Sequence, residues 1–181
     1  LIRAKFEENR ISDKLPLIEY TEDTIINLDA FTISFFRVTH SIPDAFGVVF
    51  DSKEGRIVTT GDFKVDLTPI GPDINLTKMA KLGSEGVDLL LSDSTNAESE
   101  GYTPSEKNVL DALDDTFAKS PGRLIISTFS SNISRIQQIC DVALRYNRKI
   151  VIVGRSMERA LETSRSYGYV KIPERPTIGR A

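Results

Sequence analysis

One cysteine, one histidine and no tryptophan stand in a chain of 181 residues. With Cys140 alone, no intrachain disulfide is possible, and the chain reads as a protein of a reducing compartment, the cytoplasm. His40 is the only imidazole that any metal site here can draw on. No apolar run approaches the ~20 residues that span a bilayer, which leaves no membrane helix. No signal-peptide pattern opens the chain. Positive charge is not in excess: 23 Lys and Arg stand against 26 Asp and Glu, a net charge of −3. The chain as a whole is therefore not a basic nucleic-acid binder, although a local basic groove stays open. Internal repeats and low-complexity segments are absent. The chain also lacks an initiating methionine and starts at Leu1 amid charges. The expectation is processing or, preferred, a piece cut from something longer. What remains is ordinary globular usage, 40% hydrophobic and 27% charged. The length suits one large domain or parts of two.

The most informative stretch runs from Ser34 to Asp62. The run Phe31-Thr32-Ile33-Ser34-Phe35-Phe36-Arg37-Val38 is aromatic and β-branched, which predicts a strand with Phe31, Ile33 and Phe35 on one face. His40 follows it, in a polar turn with Pro43 and Gly47. A second strand, Arg56 to Thr60, is followed by Gly61 and then Asp62. Imidazole nitrogen and carboxylate oxygen are both good ligands for zinc or manganese. Two such residues just past strand ends can reach one open edge of a sheet. Two ligands do not complete a site.

Elsewhere the pattern predicts further elements. Leu1 to Arg10 suits the tail of a helix, and Lys14 to Glu19 a short edge strand. Thr24 to Leu28 suits another strand. Gly47 to Phe50 and Arg56 to Thr60 form a hairpin across Asp51 to Gly55, with Lys53, Glu54 and Arg56 as solvated charges. A helix over Leu76 to Leu82 ends at Gly83. Val87 to Ser92 is nearly all apolar and predicts a strand buried on both faces, ending at Asp93-Ser94-Thr95-Asn96. Thr103-Pro104-Ser105-Glu106 reads as a capping box opening a helix with Val109, Leu110, Leu113 and Phe117 on one stripe. Arg123 to Phe129 and Lys149 to Val153 read as strands. Between them lies a helix with Ile133, Ile136, Cys140 and Ala143 inward. Gly154-Arg155-Ser156 opens a last helix that Gly168 closes, and the tail from Pro173 reads as frayed. A boundary therefore falls near Asn96 to Tyr102, with antiparallel β before it and βα units after it.

Five segments carry a family resemblance: Phe35 to Asp44, Thr60 to Lys64, Leu91 to Asn96, Thr128 to Ile133, and Gly154 to Glu158. In this order they resemble the ribonuclease J family, bacterial RNases of the metallo-β-lactamase superfamily, β-CASP branch. The resemblance is collinear from about Leu1 to Val170. It implies an α/β fold: part of a metallo-β-lactamase αβ/βα sandwich, seen as an antiparallel meander over residues 1–100. The first βα units of a β-CASP domain with a parallel sheet then come over residues 101–181. It implies His40 and Asp62 as metal ligands, Asp62 bridging two ions, and Asp93 as an acid beside the catalytic site that orients a histidine.

The family's His-x-His-x-Asp-His motif is absent, as are its later histidines, and position 134 is serine where the family has histidine. The stretch therefore resembles an internal slice of the enzyme. The activity implied by the resemblance is metal-assisted hydrolysis of RNA phosphodiesters, 5′–3′ exonucleolytic and endonucleolytic, with two divalent ions, zinc or manganese, in the intact parent. The slice alone is expected to hold them weakly or not at all and to be inactive. Single-stranded RNA is the implied partner, with Ser130, Asn132, Arg155 and Ser156 as RNA-contact candidates. A homo-oligomer, with or without a paralogous subunit, is implied for the parent.

Each residue also has a plainer reading. A histidine after a strand is commonly a hydrogen-bonded structural residue, and Asp62 after glycine an ordinary turn residue. Asp93 and Asn132 suit capping, and Arg155 suits solvated surface. The rival functions are a non-catalytic RNA-binding or scaffold subunit of an RNA-decay complex, and a small-molecule hydrolase of the same superfamily.

Overall fold

The computed structural model describes residues 16–172, together with Ile2, Phe6, Asn9 and Ile11. The expected helix over Leu1 to Arg10 and the tail from Pro173 lie almost wholly outside the described residues. So does the first part of the expected strand at Lys14, and its described remainder, Pro16 to Glu19, is irregular.

Among the described residues five strands pair in chain order into one sheet: β1 (Ile25–Asn27), β2 (Phe31–Arg37), β3 (Phe46–Ser52), β4 (Gly55–Thr59) and β5 (Leu89–Leu91). The first four form the antiparallel meander. β5 lies parallel to β4, Ile57 opposite Leu89. A parallel neighbour needs a crossover, and helix α1 (Leu76–Glu85) lies between these strands in the chain. Helices α2 (Glu106–Lys119), α3 (Ile133–Arg145) and α4 (Arg155–Ser166) come after it. The architecture is the expected α/β mixture, an antiparallel meander with one parallel pair.

Several boundaries differ from the sequence reading. The β3–β4 turn is Lys53-Glu54 alone, because Ser52 and Gly55 already pair. Gly55 sits at φ 146°, and a Cβ there would meet the Asp88 carboxylate at 2.6 Å. Arg56 is not simply solvated: its guanidinium reaches Asp51 at 2.6 Å and Glu85 at 2.9 Å, tying β4 to α1. α1 continues through Gly83 and stops at Gly86, whose φ of 99° is the conformation glycine adopts cheaply. The capping box does not form. Ser105 is the N-cap of α2 and accepts from the Lys107 N–H, while Glu106 turns to other partners.

The expected burial of β5 on both faces is also overturned. Leu89, Leu90 and Leu91 are 48%, 58% and 52% exposed. β5 is the edge strand, with β4 on one side and no further strand among the described residues on the other. Among the described residues the segments 123–129 and 149–153 form no strand, although Ile150 makes a single bridge. Leu124, Ile150 and Ile152 pack into the helical core, whereas Ile125, Phe129 and Val153 face outward. A β-branched run supplies a packing face, but a ladder also needs a partner in register.

Among the described residues two apolar clusters form the core. Phe36, Val38, Val49 and Val58 are buried against Met79, Leu82 and Val87. The opposite sheet face carries Phe35, on which Tyr20 stacks with a centroid separation of 4.0 Å. The second cluster gathers Phe117 from α2, Ile133, Ile136, Cys140, Val142 and Ala143 from α3, and Leu161 from α4. Cys140 is fully buried as expected. Burial pushes its thiol pKa up to about 11, with the Asp141 charge adding to the shift. A thiol this hidden and this weakly acidic is a poor nucleophile. The native chain should leave Ellman's reagent unreacted, with one thiol appearing only on addition of denaturant.

Candidate functional site

Strand direction decides what meets at the site. β2 and β4 both run antiparallel to β3, so they point the same way, and β5 runs parallel to β4. Their C-terminal ends share one edge of the sheet. His40 lies three residues past β2, Asp62 three past β4, and Asp93 two past β5. His40 Nε2 and Asp62 Oδ2 are 4.0 Å apart, with the histidine side chain 28% exposed and the aspartate 83% exposed. Gly61, at φ 59°, makes the sharp turn that brings Asp62 to the edge.

Asp93 is tied to the same turn. Its Oδ2 accepts the Phe63 N–H at 3.3 Å, and its Oδ1 accepts the Thr95 hydroxyl at 2.6 Å and the Thr95 N–H at 2.9 Å. The bonds from Thr95 come first, and with that from Phe63 and the His40 charge they hold the carboxyl below its ordinary range. Thr60 connects the two acid-bearing loops. It is buried, its hydroxyl accepts the Asp93 N–H at 3.0 Å, and it donates to Gly61 C=O at 2.7 Å.

Beside this edge the two halves of the chain are joined by charge. Thr39 and Lys64 form an isolated antiparallel bridge, with the Lys64 N–H donating to Thr39 C=O at 2.9 Å and the Thr39 hydroxyl bonding back to Lys64 C=O. The Lys64 ammonium lies 3.3 Å from Asp66 and 3.2 Å from Glu106, and Glu106 also holds Arg135 of α3 at 2.7 Å. Burial alone would raise the Asp66 pKa. The Glu106 N–H, the Ser105 hydroxyl, the Thr68 N–H and Lys64 outweigh it and bring the carboxyl to about 2. In the loop after His40, Asp44 pairs with Arg37 at 3.1 Å and accepts the Tyr169 hydroxyl.

Two cavities adjoin. One of about 220 Å³ is lined by His40, Asp44, Lys64, Glu106 and Ser134, so Ser134 faces the same space as His40. The other, about 440 Å³, is lined by Ser130, Ser131, Thr163, Ser164 and Tyr167. Ile42, Pro43, Ile133 and Tyr169 wall both. Of the RNA-contact candidates, Ser130 reaches the larger cavity. Asn132 caps α3 by accepting the Arg135 N–H at 3.0 Å. Arg155 and Ser156 are exposed at the start of α4 and line neither cavity.

The structure thus brings His40, Asp62 and Asp93 together and leaves Arg155 and Ser156 apart. It adds Thr60, Lys64 and Glu106. Thr60 and Lys64 end one of the five resemblance segments and Glu106 closes the expected capping box, but nothing in the sequence marked them as site residues. As a metal site the arrangement is partial. The His40 and Asp62 donors are close enough to serve one ion after a small side-chain adjustment, since ligand atoms lie ~2.0–2.2 Å from zinc. Among the described residues no group of three or more His, Cys, Asp or Glu could hold a metal.

Residues 121–180 match the family model described as ribonuclease J, beta-CASP domain. The chain is 42% identical over 174 residues to Ribonuclease J 1 of Streptococcus pyogenes, covering 96% of this chain and 31% of that protein. It is 44% identical over 178 residues to Ribonuclease J of Thermus thermophilus, covering 97% and 31%. Ribonuclease J of Helicobacter pylori is 42% identical over 175 residues, covering 96% and 25%. The chain therefore spans between a quarter and a third of the length of these relatives. A crystal structure of a protein of unknown function from Enterococcus faecalis shares the fold, with a TM-score of 0.62 at 15% identity over 91% of this chain and 41% of that one. The five motifs in order, the match at residues 121–180 and identity sustained along nearly the whole sequence agree: this chain is similar to ribonuclease J over almost all of its length.

Proposed function

We propose that this chain carries part of the centre of a metal-dependent ribonuclease acting on single-stranded RNA. His40 and Asp62 are two of its metal ligands, and Asp93 is the ionised acid beside them. Residues 1–100 are part of a metallo-β-lactamase domain and residues 101–181 part of a β-CASP domain. The observation that carries this reading is the convergence of the three residues at the C-terminal ends of β2, β4 and β5. A divalent ion bound there, zinc or manganese, would supply Lewis-acid activation of the phosphate and of a water.

The chain's own residues do the rest. His40 offers one ring nitrogen and is held on the Thr39–Lys64 bridge. Asp62, exposed at the edge, offers two oxygens. Asp93, kept charged by Thr95 and Phe63, braces the Asp62 turn and can accept one further hydrogen bond. With two ligands of its own, the chain alone is inactive. The working protein is cytoplasmic and oligomeric, and it cuts RNA both internally and from the 5′ end.

A second reading has a specific observation behind it. Arg37 and Lys64, which line the smaller cavity, are each paired with a carboxylate, and so is Arg135 of α3. This favours a non-catalytic subunit over a strongly basic RNA channel. Fluorescence anisotropy with a labelled single-stranded RNA, alongside gel analysis of the same mixture with Mn²⁺, tests both. The proposal expects RNA binding without cleavage, weakened when Mn²⁺ is removed and in Asp62→Ala. Metal-independent binding unaffected by Asp62→Ala supports the scaffold reading. No binding at all would overturn the proposal and leave a scaffold subunit that does not hold RNA.

A further inference from the structure

Thr39 and Lys64 do more than close a turn. Thr39 directly precedes His40, and Lys64 comes two residues after Asp62. Their bridge is the point at which the two loops bearing the candidate ligands are joined backbone to backbone, by Lys64 N–H to Thr39 C=O at 2.9 Å and by the Thr39 hydroxyl to Lys64 C=O. Thr39 is 6% exposed, so water does not compete for these bonds. A third tie belongs to the same set, the Asp66 N–H to the Thr39 hydroxyl at 3.4 Å.

The Lys64 side chain leaves this bridge toward the helices. It sits between Asp66 and Glu106 and also reaches Pro104 C=O at 3.4 Å. Glu106 is the first residue of α2, and its second oxygen takes Arg135 of α3 at 2.7 Å and 3.3 Å. Asp66 takes the Glu106 N–H at 3.1 Å. Both acids are largely shielded, with side-chain exposures of 2% for Asp66 and 17% for Glu106. Partly buried, multiply bonded charges of this kind hold one geometry, because any other leaves a charge unpaired.

We propose that Lys64 is a positioning residue for the His40–Asp62 pair. Its ammonium anchors the joint of the two ligand loops onto the N-terminus of α2 and onto α3, so that the helical half of the chain sets the spacing of ligands carried by the sheet. This rests on the reading of His40 and Asp62 as metal ligands. It adds that metal affinity depends on contacts made on the far side of the domain boundary. Supporting partners of metal ligands commonly change affinity by about 10–100-fold when removed.

Because His40 is the only histidine, its imidazole gives one uncrowded set of NMR signals. We would record them on the 181-residue chain, metal-free and then with Zn²⁺. The proteins compared are wild type, Lys64→Met, Lys64→Arg, Glu106→Gln and Lys119→Met. Lys64→Met keeps the backbone bridge and the length of the side chain but removes the ammonium. Glu106→Gln is the milder variant should Lys64→Met fold poorly. Lys119→Met removes an exposed pair with Asp115 and serves as control. The inference expects metal-free His40 signals that shift or broaden in Lys64→Met and Glu106→Gln, return toward wild type in Lys64→Arg, and stay put in Lys119→Met. It expects zinc affinity at His40 to fall by about 10-fold in the first two. Unchanged metal-free signals in Lys64→Met and Glu106→Gln overturn it, whatever zinc does. A wild-type His40 that ignores zinc sinks the ligand reading instead, while the metal-free spectra still decide the anchoring.

Discussion

Phe36→Ala is expected to destabilise the chain by about 3–5 kcal/mol, the range for emptying a buried phenylalanine site. The ring is 1% exposed and sits at the centre of the sheet-side cluster with Val49 and Val58. Typical domains have about 5–15 kcal/mol in total, so the loss threatens folding outright. The site also shows why residue 47 is glycine. Gly47 pairs directly with Phe36 across β2 and β3. A Cβ at Gly47 would lie 2.1 Å from the Phe36 ring, and its three nearest heavy atoms all belong to that ring. Gly47→Ala in the wild-type background should therefore cost about 1–3 kcal/mol by overpacking. In a Phe36→Ala background the obstacle is gone, and the same change should be neutral or gain up to about 1 kcal/mol, since glycine is the poorer residue in a strand. Urea unfolding of the four proteins in this cycle measures the coupling. Additive effects would mean that the ring does not occupy the space in front of Gly47.

Asp66→Ala is the second large effect. The carboxylate is buried and serves Lys64, the Thr68 N–H and the Glu106 N–H. Its removal leaves Lys64 with Glu106 as its one carboxylate partner and two N–H groups without theirs, and breaking a buried pair costs up to about 3–5 kcal/mol. The pH dependence has a definite sign. The folded pKa, about 2, lies below the ordinary 3.8. The stabilisation is therefore fully present above about pH 4 and is lost as the pH falls through about 2. The shift corresponds to about 2.5 kcal/mol, taking ~1.4 kcal/mol per unit. Wild type and Asp66→Ala should thus differ most in denaturant midpoint near neutrality and converge toward pH 2. A gap that stays constant from pH 7 to pH 2 would show that the carboxylate's charge is not what holds the joint.

Much of the architecture was readable because local pattern and final environment agreed. The alternation in Phe31 to Val38 marked β2. The apolar stripes of α2 and α3 announced the helices, and Cys140 fell on the buried side as its spacing required. The three acid and imidazole candidates were readable for a related reason: each stands just past a strand end, and strands of one direction deliver their ends to one edge. What stayed hidden depends on partners distant in sequence. Tyr169 bonds to Asp44 across 125 positions, and no local pattern marks either residue for the other. Glu106 satisfied a capping motif by spacing, yet Lys64 and Arg135 claim its side chain because a shielded carboxylate gains more from two cations than from one N–H. The leucines of β5 promised burial by composition alone, but burial belongs to the neighbours of a strand, and an edge position left them open. Gly83 looked like a helix stop because glycine ends helices when the chain must turn, and here the turn comes at Gly86.

The most direct test of the central claim is calorimetric titration of the chain with Zn²⁺ and with Mn²⁺, repeated on His40→Ala and Asp62→Ala. A pair of ligands at one sheet edge predicts weak binding, substoichiometric under ordinary conditions and abolished by either substitution. Tight binding of two ions, or weak binding that survives both substitutions, would contradict the account and move the metal centre away from His40 and Asp62.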